Sequence, residues 1–150
     1  MSTPKIALGS DHAGLVLVRA IREHLSTRGL AVLDLSPPDA SSVDYPTYAV
    51  RVATAVAQGD VSLGILVCGS GIGMSMAANR VPGVRAALCT HEVMARLARQ
   101  HNDANVLCLG ERIVGAALGL AIVDAFLAAS FEGGRHGRRV EQLTALERSV

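Results

Sequence analysis

The sequence predicts an α/β domain built on a doubly wound parallel sheet of five strands. Short apolar runs typical of strands alternate, five times along the chain, with segments of helical period. The run LGILVCG at 63–69 is almost entirely apolar, as a central parallel strand covered on both faces is. Such an alternation is typical of a parallel sheet joined by right-handed crossovers, with helices on both faces.

The first half of the chain predicts two strands, each followed by a helix. KIALGSD at 5–11 is the first strand, and apolar residues spaced by three and four positions mark one face of a helix over 15–25. LAVLDLS at 30–36 is the second strand, and the segment after it is rich in turn-forming residues. Asp44 is placed to cap a second helix, whose first turn contains Pro46, where the missing N–H does no harm.

The second half continues the same alternation through three further strands. After the strand LGILVCG, the pattern predicts, in order, a helix over about 72–79, a strand over 84–89, a helix over 91–101, a strand over 104–110 and a long apolar helix over about 113–129.

Composition predicts one compact domain, residues 1–150, that acts on a small molecule. Half of the residues are apolar and only 3 % are aromatic, so we expect a core of aliphatic side chains. A formal charge of +1 provides no field that attracts nucleic acid or a membrane surface, and we expect neither partner. The apolar segment 114–129 is interrupted by Asp124 and is shorter than the roughly 20 residues that cross a bilayer.

The cysteines and the N-terminus predict a cytoplasmic protein without a structural metal. Cys68, Cys89 and Cys108 are odd in number and widely spaced, and each lies in or beside an apolar run, which favours reduced thiols. None belongs to a CxxC or Cys/His zinc pattern. The N-terminal residues MSTPKIALGSD lack the basic and apolar regions of a signal peptide.

The C-terminal segment FEGGRHGRRVEQLTALERSV at 131–150 differs from the rest of the chain. Two glycines end the long apolar helix, and a charged amphipathic helix follows beyond the last strand. Such a helix has little sheet of its own to cover. We therefore expect it to pack on a neighbouring subunit.

The carboxyl ends of the strands are the expected position of a ligand in an open parallel sheet. This rule selects the segments GSDHAG, CGSGIGMS, THE and GERIVG, together with RQHNDAN just before the fifth strand.

The glycine-rich turn after the third strand has two interpretations, an anion cradle or a tight strand-to-helix turn. Glycines let the backbone approach a ligand, and free N–H groups at the start of a helix favour an anion. Cys68 precedes the turn, where it is either a core residue or a thiolate that serves as base or nucleophile. A cysteine-dependent phosphatase would have arginine where Met74 stands, which excludes that class.

Histidines and arginines supply the other candidates. His12 ends the first strand at the expected site, and His101 lies in the polar cluster QHND. Arg135 and Arg139 are one helical turn apart, about 6 Å along the axis, a spacing that suits a grip on one phosphate. A solvated charged face is the alternative interpretation of this run.

Five segments together resemble the ribose-5-phosphate isomerase B family, which includes galactose-6-phosphate and allose-6-phosphate isomerases. The segments are GSDHAG, DYPTYA, VCGSGIGMSMAANR, RQHNDANVLCLGERIVG and FEGGRHGRRVE, and the match runs from Lys5 to about Glu147. The resemblance implies a Rossmann-like α/β fold, a homodimer or homotetramer with active sites at the subunit interface, and no metal or other cofactor. It implies interconversion of aldose and ketose sugar phosphates through an enediol.

The resemblance also implies a role for each matched residue. Cys68 matches the base that moves a proton between C1 and C2, and His101 matches the acid/base that opens the sugar ring. The hole that stabilises the enediolate matches the hydroxyl of Ser70 and the amides of Gly69, Gly71, Ile72 and Gly73. The residues that match sugar-hydroxyl contacts are Asp11, Tyr45 and Asn102. The residues that match phosphate contacts are His12, Arg112, Arg135 and Arg139.

Departures from the family pattern leave the sugar open. Some members have a glutamate base in place of the cysteine, and Met74 occupies that position here, which favours a cysteine mechanism. Ser70 stands where threonine also occurs and keeps the hydroxyl. We predict an isomerase of ribose 5-phosphate and ribulose 5-phosphate. The alternatives are an isomerase of allose or galactose 6-phosphate, of a tetrose phosphate or of a rare free sugar, and a non-catalytic sugar-phosphate binding module.

Overall fold

The computed structural model of the protein describes residues 5–149. Its strands are β1 Lys5–Ser10, β2 Ala31–Asp34, β3 Leu63–Cys68, β4 Ala86–Leu88 and β5 Val106–Gly110. Its α-helices are α1 Leu15–Thr27, α2 Tyr45–Ala57, α3 Ile72–Ala78, α4 Glu92–Asn102, α5 Ala116–Ala128 and α6 Arg135–Leu146, and a short 3-10 turn covers His12–Gly14. The alternation of strands and helices predicted from the sequence is confirmed.

The five strands form one parallel sheet in the order β2-β1-β3-β5-β4. From β1 the chain passes to β2 at one edge of the sheet and then returns to form β3 on the other side of β1. The connections that follow β1 and β3 therefore run toward opposite edges of the sheet. A crevice opens at such a point, outside the carboxyl ends of the strands. The register pairs Ser10 with Val67 and Cys68 with Gly110, so β1, β3 and β5 end at the same level.

Helices cover both faces of the sheet and enclose two apolar cores. One core packs α1, α4 and α5 on the sheet and includes Ile21, Ile122 and the fully buried Phe126. The other packs α2 and α3 on the opposite face. Because side chains alternate along a strand, Val67 joins the first core and Cys68 joins the second. The thiol of Cys68 therefore points to the face that carries α3.

Two helix starts differ in detail from the expectation. Asp44 lies at the N-cap position of α2 with Pro46 in the first turn, but its side chain makes no capping hydrogen bond. The helix expected from residue 113 begins instead at Ala116. The reason is a turn after β5, in which the amides of Ile113 and Val114 both donate to the carbonyl of Gly110 at 3.0 Å.

The C-terminal helix α6 contacts α4 of its own chain. A hydrogen bond of 3.0 Å, from the amide of Gly83 to the carboxylate of Glu147, also joins the loop before β4 to the residue that follows α6. Leu143 and Leu146 remain 47 % and 60 % exposed. The expected packing of this helix on a neighbouring subunit stays a prediction.

Among residues 5–149, no helix combines the length and apolar character that a membrane crossing requires.

Candidate active site

A pocket of about 380 Å³ opens at the carboxyl ends of β1, β3 and β5. It lies in the crevice that the strand order creates. Its wall is formed by Asp11, His12, Ala13, Tyr45, Cys68, Gly69, Ser70, Gly73, Arg112 and Ile113. Eight of these ten residues are among the site residues predicted from the sequence.

The turn after β3 contributes a thiol and a hydroxyl to the pocket wall. Cys68 is 5 % exposed, and its Sγ accepts a hydrogen bond of 3.1 Å from the amide of Gly71. The amide of Ile72 donates to the hydroxyl of Ser70 at 3.2 Å. Two of the predicted cradle amides, those of Gly71 and Ile72, thus hold the sulfur and the hydroxyl, and neither residue lines the pocket.

Glycine is required at Gly71 by both conformation and space. Its φ of 79° lies in the left-handed region, and a Cβ at this position would meet the backbone carbon of Leu109 at 2.9 Å. This residue is the N-cap of α3, so its conformation directs the amides of the next turn. The turn therefore places an N–H dipole against the sulfur, which stabilises negative charge there.

The turn after β5 is tied to the turn after β3. The amide of Glu111 donates to the carbonyl of Cys68, and the amide of Arg112 donates to the carbonyl of Gly69, both at 2.9 Å. The Glu111 carboxylate accepts from the amide of Leu17 at 2.7 Å, at the start of α1. These three links fix the wall of the pocket that carries the arginine.

Arg112 provides a cation beside the glycine-rich turn. Its guanidinium lies so close to Gly69 that a Cβ there would meet Nη1 at 3.1 Å. It takes part in none of the ion pairs formed among residues 5–149. A guanidinium without a carboxylate partner at a pocket is well suited to bind a phosphate.

The turn after β1 contributes a carboxylate and an imidazole. Asp11 is buried and caps the 3-10 turn, where its carboxylate accepts a hydrogen bond of 2.9 Å from the amide of Ala13. The Nδ1 atom of His12 accepts from the amide of Val43 at 3.1 Å. A neutral imidazole that accepts at Nδ1 carries its proton on Nε2. His12 can therefore donate to an anion through Nε2.

Tyr45, at the start of α2, covers the first turn of α3. A Cβ on Gly73 would lie 2.6 Å from Cζ of its ring. The absence of a side chain at Gly73 thus allows the ring to lie against the helix at the pocket wall.

Besides Gly71 and Ile72, four predicted residues lie outside this pocket: His101, Asn102, Arg135 and Arg139. The first two end α4 and the other two begin α6. The ring of His101 stacks on that of His136, with centroids 4.1 Å apart and planes 9° apart. Its Nε2 is 3.6 Å from Oε1 of Glu132. The chain therefore carries the predicted residues in two groups on different elements.

His101, Glu132 and His136 bring together donor atoms that could bind a metal ion, but the two imidazole rings are not oriented to bind one. One ligand atom each from His101, Glu132 and His136 lies within 4.8 Å of the others. An imidazole nitrogen directs its lone pair in the plane of the ring, and two stacked planes cannot both contain one ion. These side chains would have to rotate to hold a metal.

All three cysteines are buried, and a place at the pocket wall separates Cys68 from the other two. Burial raises the pKa of Cys89 to about 11. It also raises the pKa of Cys108 strongly, and the nearby Cys68 and Cys89 add to that shift. Neither residue lines the pocket, so Cys68 is the thiol placed to meet a ligand there.

Comparison with known proteins assigns the chain to a family. The family model described as Ribose/Galactose Isomerase matches residues 6–143. The chain belongs to this family.

Relatives of known name within the ribose/galactose isomerase family are similar along their whole length. Ribose-5-phosphate isomerase B of Escherichia coli is 52 % identical over 143 residues, which cover 95 % of this chain and 96 % of the relative. The ribose-5-phosphate isomerase B structure from Clostridium thermocellum superposes with a TM-score of 0.96 at 51 % identity, covering 97 % of this chain and 98 % of that one. The Mycoplasma genitalium structure with bound ribulose-5-phosphate has a TM-score of 0.93 at 49 % identity and covers 97 % of both chains.

Sequence reasoning missed several residues that shape the site of this isomerase-family chain. Ala13 and Ile113 line the pocket, and each directly follows a predicted residue, which is the signal that could have found it. Glu132 and His136 contact His101 through space, and the amide of Val43 holds His12 from a separate loop. Their distance along the chain from their partners left no local pattern to detect.

Proposed function

We propose that the protein interconverts ribose 5-phosphate and ribulose 5-phosphate through an enediolate, with Cys68 as the base. The observation that carries the proposal is that Cys68 and Ser70 line one pocket together with Arg112, which forms no ion pair among residues 5–149. The relative with bound ribulose-5-phosphate supports the choice of sugar.

The proton transfers follow from the residue types at the pocket. The Cys68 thiolate takes the proton from C2 of the open-chain aldose and returns it to C1, while the proton of the C2 hydroxyl moves to O1. The Ser70 hydroxyl and the amides of Gly69 and Gly73 stabilise the enediolate formed between these two steps. The carboxylate of Asp11 and the hydroxyl of Tyr45 bind sugar hydroxyls. Each of these residues lines the pocket.

The phosphate is held at the far end of the substrate by cationic and N–H donors. His12 and Arg112 are already at the pocket. Arg135 and Arg139 complete the grip from α6, where they lie one turn apart. Loss of the Arg139 charge is expected mainly to raise KM, because the phosphate takes no part in the proton transfer.

We further propose that the active site forms between two subunits of a homodimer. The active enzyme is either this homodimer or a homotetramer built from two of them. His101, Asn102, Arg135 and Arg139 lie outside the pocket of their own chain, although the ring-opening and phosphate-binding roles require them in it. Exposed apolar side chains beside the pocket and along α4 support burial against a second copy: Ile72, Met76, Val93, Met94, Leu97 and Ile113.

Complementation between two inactive variants tests this arrangement. Cys68→Ala and His101→Ala each remove one residue from every site, whereas a mixed dimer has one site with both residues intact. Random exchange in an equal mixture puts half of the chains in mixed dimers, so about a quarter of wild-type activity returns. No recovery after verified subunit exchange would contradict a shared site.

A substrate panel tests the sugar assignment. We expect kcat/KM to be highest for ribose 5-phosphate and lower for allose 6-phosphate, galactose 6-phosphate, erythrose 4-phosphate and a free aldose, with Cys68→Ala prepared in parallel as the contamination control. Preference for another phosphate would reassign the substrate within the same reaction. Binding of ribose 5-phosphate without deuterium uptake at C2 would instead support a binding module.

We also propose that residues 1–150 form one isomerase domain that acts in the cytoplasm. A single sheet that carries the whole pocket supports the first part. Three free cysteines support the second, because thiols persist in a reducing compartment.

A further inference from the structure

We propose that Glu132 and His136 are positioning residues that orient the imidazole of His101 for sugar-ring opening. The inference rests on the proposed function, because it concerns the step that precedes the proton transfer by Cys68. It adds two residues that touch His101 and not the reacting atoms.

Three elements meet around the His101 ring. His101 lies in the last turn of α4, Glu132 lies in the connection between α5 and α6, and His136 lies in the first turn of α6. The amide of Glu132 donates to the carbonyl of Gln100 at 3.0 Å, which fixes the connection directly against the residue before His101. The position of the Glu132 side chain is thus coupled to the end of α4.

Glu132 sets which nitrogen of His101 carries the proton. Its Oε1 is 3.6 Å from Nε2, slightly longer than a hydrogen bond, and both side chains are partly exposed. A carboxylate accepts only, so it favours the tautomer with the proton on Nε2. Contacts of this kind often shorten when a substrate binds. Nδ1 of His101 is then left with a free lone pair that can act on the sugar.

His136 sets the plane of the His101 ring. Its side chain is buried, and the two rings stack 4.1 Å apart with planes only 9° from parallel. Burial lowers the pKa of His136, and the nearby His101 and Arg135 lower it further, whereas Glu132 raises it. The neutral ring can therefore stack without placing a positive charge against His101.

The Gly133-Gly134 pair makes this stacking geometrically accessible. Both residues have positive φ, 67° and 54°, a conformation that glycine adopts without strain. The amide of His136 donates to the carbonyl of Gly133 at 3.0 Å, which starts α6 directly after the turn. The turn thus brings the first residues of α6 back over the end of α4.

Ring opening explains why the orientation of His101 matters. The anomeric O1–H loses its proton to Nδ1, the C1–O4 bond breaks, and O4 receives a proton to become the C4 hydroxyl, leaving an aldehyde at C1. One imidazole can serve both transfers only if its free nitrogen faces the sugar. A tetrose 4-phosphate has its C4 oxygen blocked by the phosphate, forms no furanose ring and does not need this step.

The test compares ribose 5-phosphate with erythrose 4-phosphate in the full-length protein. We expect Glu132→Gln to lower kcat on ribose 5-phosphate about tenfold and to leave the rate on erythrose 4-phosphate within about twofold. His136→Ala should show the same selectivity, and His136→Phe should recover most of the loss because it keeps a flat ring for stacking. Glu141→Gln, the same change at an exposed position of α6, is the matched control and should leave both rates unchanged.

A direct measurement of the tautomer completes the test. Nitrogen-15 shifts of the His101 ring should report Nε2 protonation in the wild type and a shift toward the Nδ1-protonated form in Glu132→Gln. Equal losses on both sugars, no loss on either, or an unchanged tautomer would overturn the positioning roles while leaving the isomerase assignment intact. A wild-type protein that isomerises neither sugar would overturn the proposed function and the inference together.

Discussion

Replacement of Gly110 by alanine is the sharpest single perturbation of the site that leaves its chemical groups in place. A Cβ at this position would lie 2.5 Å from the carbonyl carbon and oxygen of Ser70 and 2.7 Å from its Cα. These are backbone atoms of the turn beside Cys68, and no rotamer change can move them. Because an ordinary contact needs about 3.5 Å, the turn must shift by about 1 Å.

Two magnitudes follow from that shift. Overpacking of this kind costs about 1–3 kcal/mol of the free energy of unfolding, which lowers Tm by roughly 3–10 °C for a chain of this length. A displacement of about 1 Å between base and substrate can reduce kcat about 100-fold. We therefore expect a folded Gly110→Ala protein whose activity falls far more than its stability.

Thermal unfolding and steady-state kinetics on ribose 5-phosphate measure both effects at fixed protein concentration. Gly115→Ala is the matched control, since a Cβ there meets nothing within 4 Å and the residue has φ of −76°. The control should cost less than about 1 kcal/mol and keep its kcat. A Gly110→Ala protein with wild-type kcat would refute the argument that the turn needs this close approach.

Three further predictions concern the scaffold and the thiols. Asp103 has a left-handed φ of 45° and forms ion pairs with Arg85 and Arg99, which anchor the chain after His101. Asp103→Asn should therefore lower the free energy of unfolding, measured with denaturant, by about 1–2 kcal/mol. An unchanged unfolding midpoint would count against this anchoring role. Phe126→Ala should cost about 3–5 kcal/mol in the same assay, and a loss below 1 kcal/mol would contradict its place in the core. Iodoacetamide at pH 8 should modify Cys68 first and abolish activity in step, because Cys68 lines the pocket, whereas Cys89 and Cys108 do not and burial raises their pKa values. Equal rates for all three would contradict this.

Much of the site could be predicted because parallel strands end at one edge of a sheet. The apolar runs located β1, β3 and β5, and residues at or just after the ends of those strands, Asp11, Cys68 and Arg112, meet in one pocket. The order of the strands was not predicted, because apolar patterning reports burial and not which strands are neighbours.

Other features depend on contacts between distant segments and left no local pattern. Nothing near Glu132 in the sequence indicates that it faces His101, because the contact exists only once α6 folds back on α4. The late start of α5 depends on two amides that share the carbonyl of Gly110, a preference that apolar spacing does not reveal. The resemblance implied roles for Arg135 and Arg139, but in this chain both lie outside the pocket, and only the proposed dimer would bring them to it.

The central claim is that Cys68 moves the proton between C1 and C2, and Cys68→Ala tests it most directly. The measurement is kcat for ribose 5-phosphate and deuterium uptake at C2 in heavy water, together with the affinity for the sugar phosphate. We expect kcat and uptake to fall together by about 10²- to 10⁴-fold while affinity changes only a few-fold. A variant that keeps near-wild-type isomerisation and exchange would show that another group is the base.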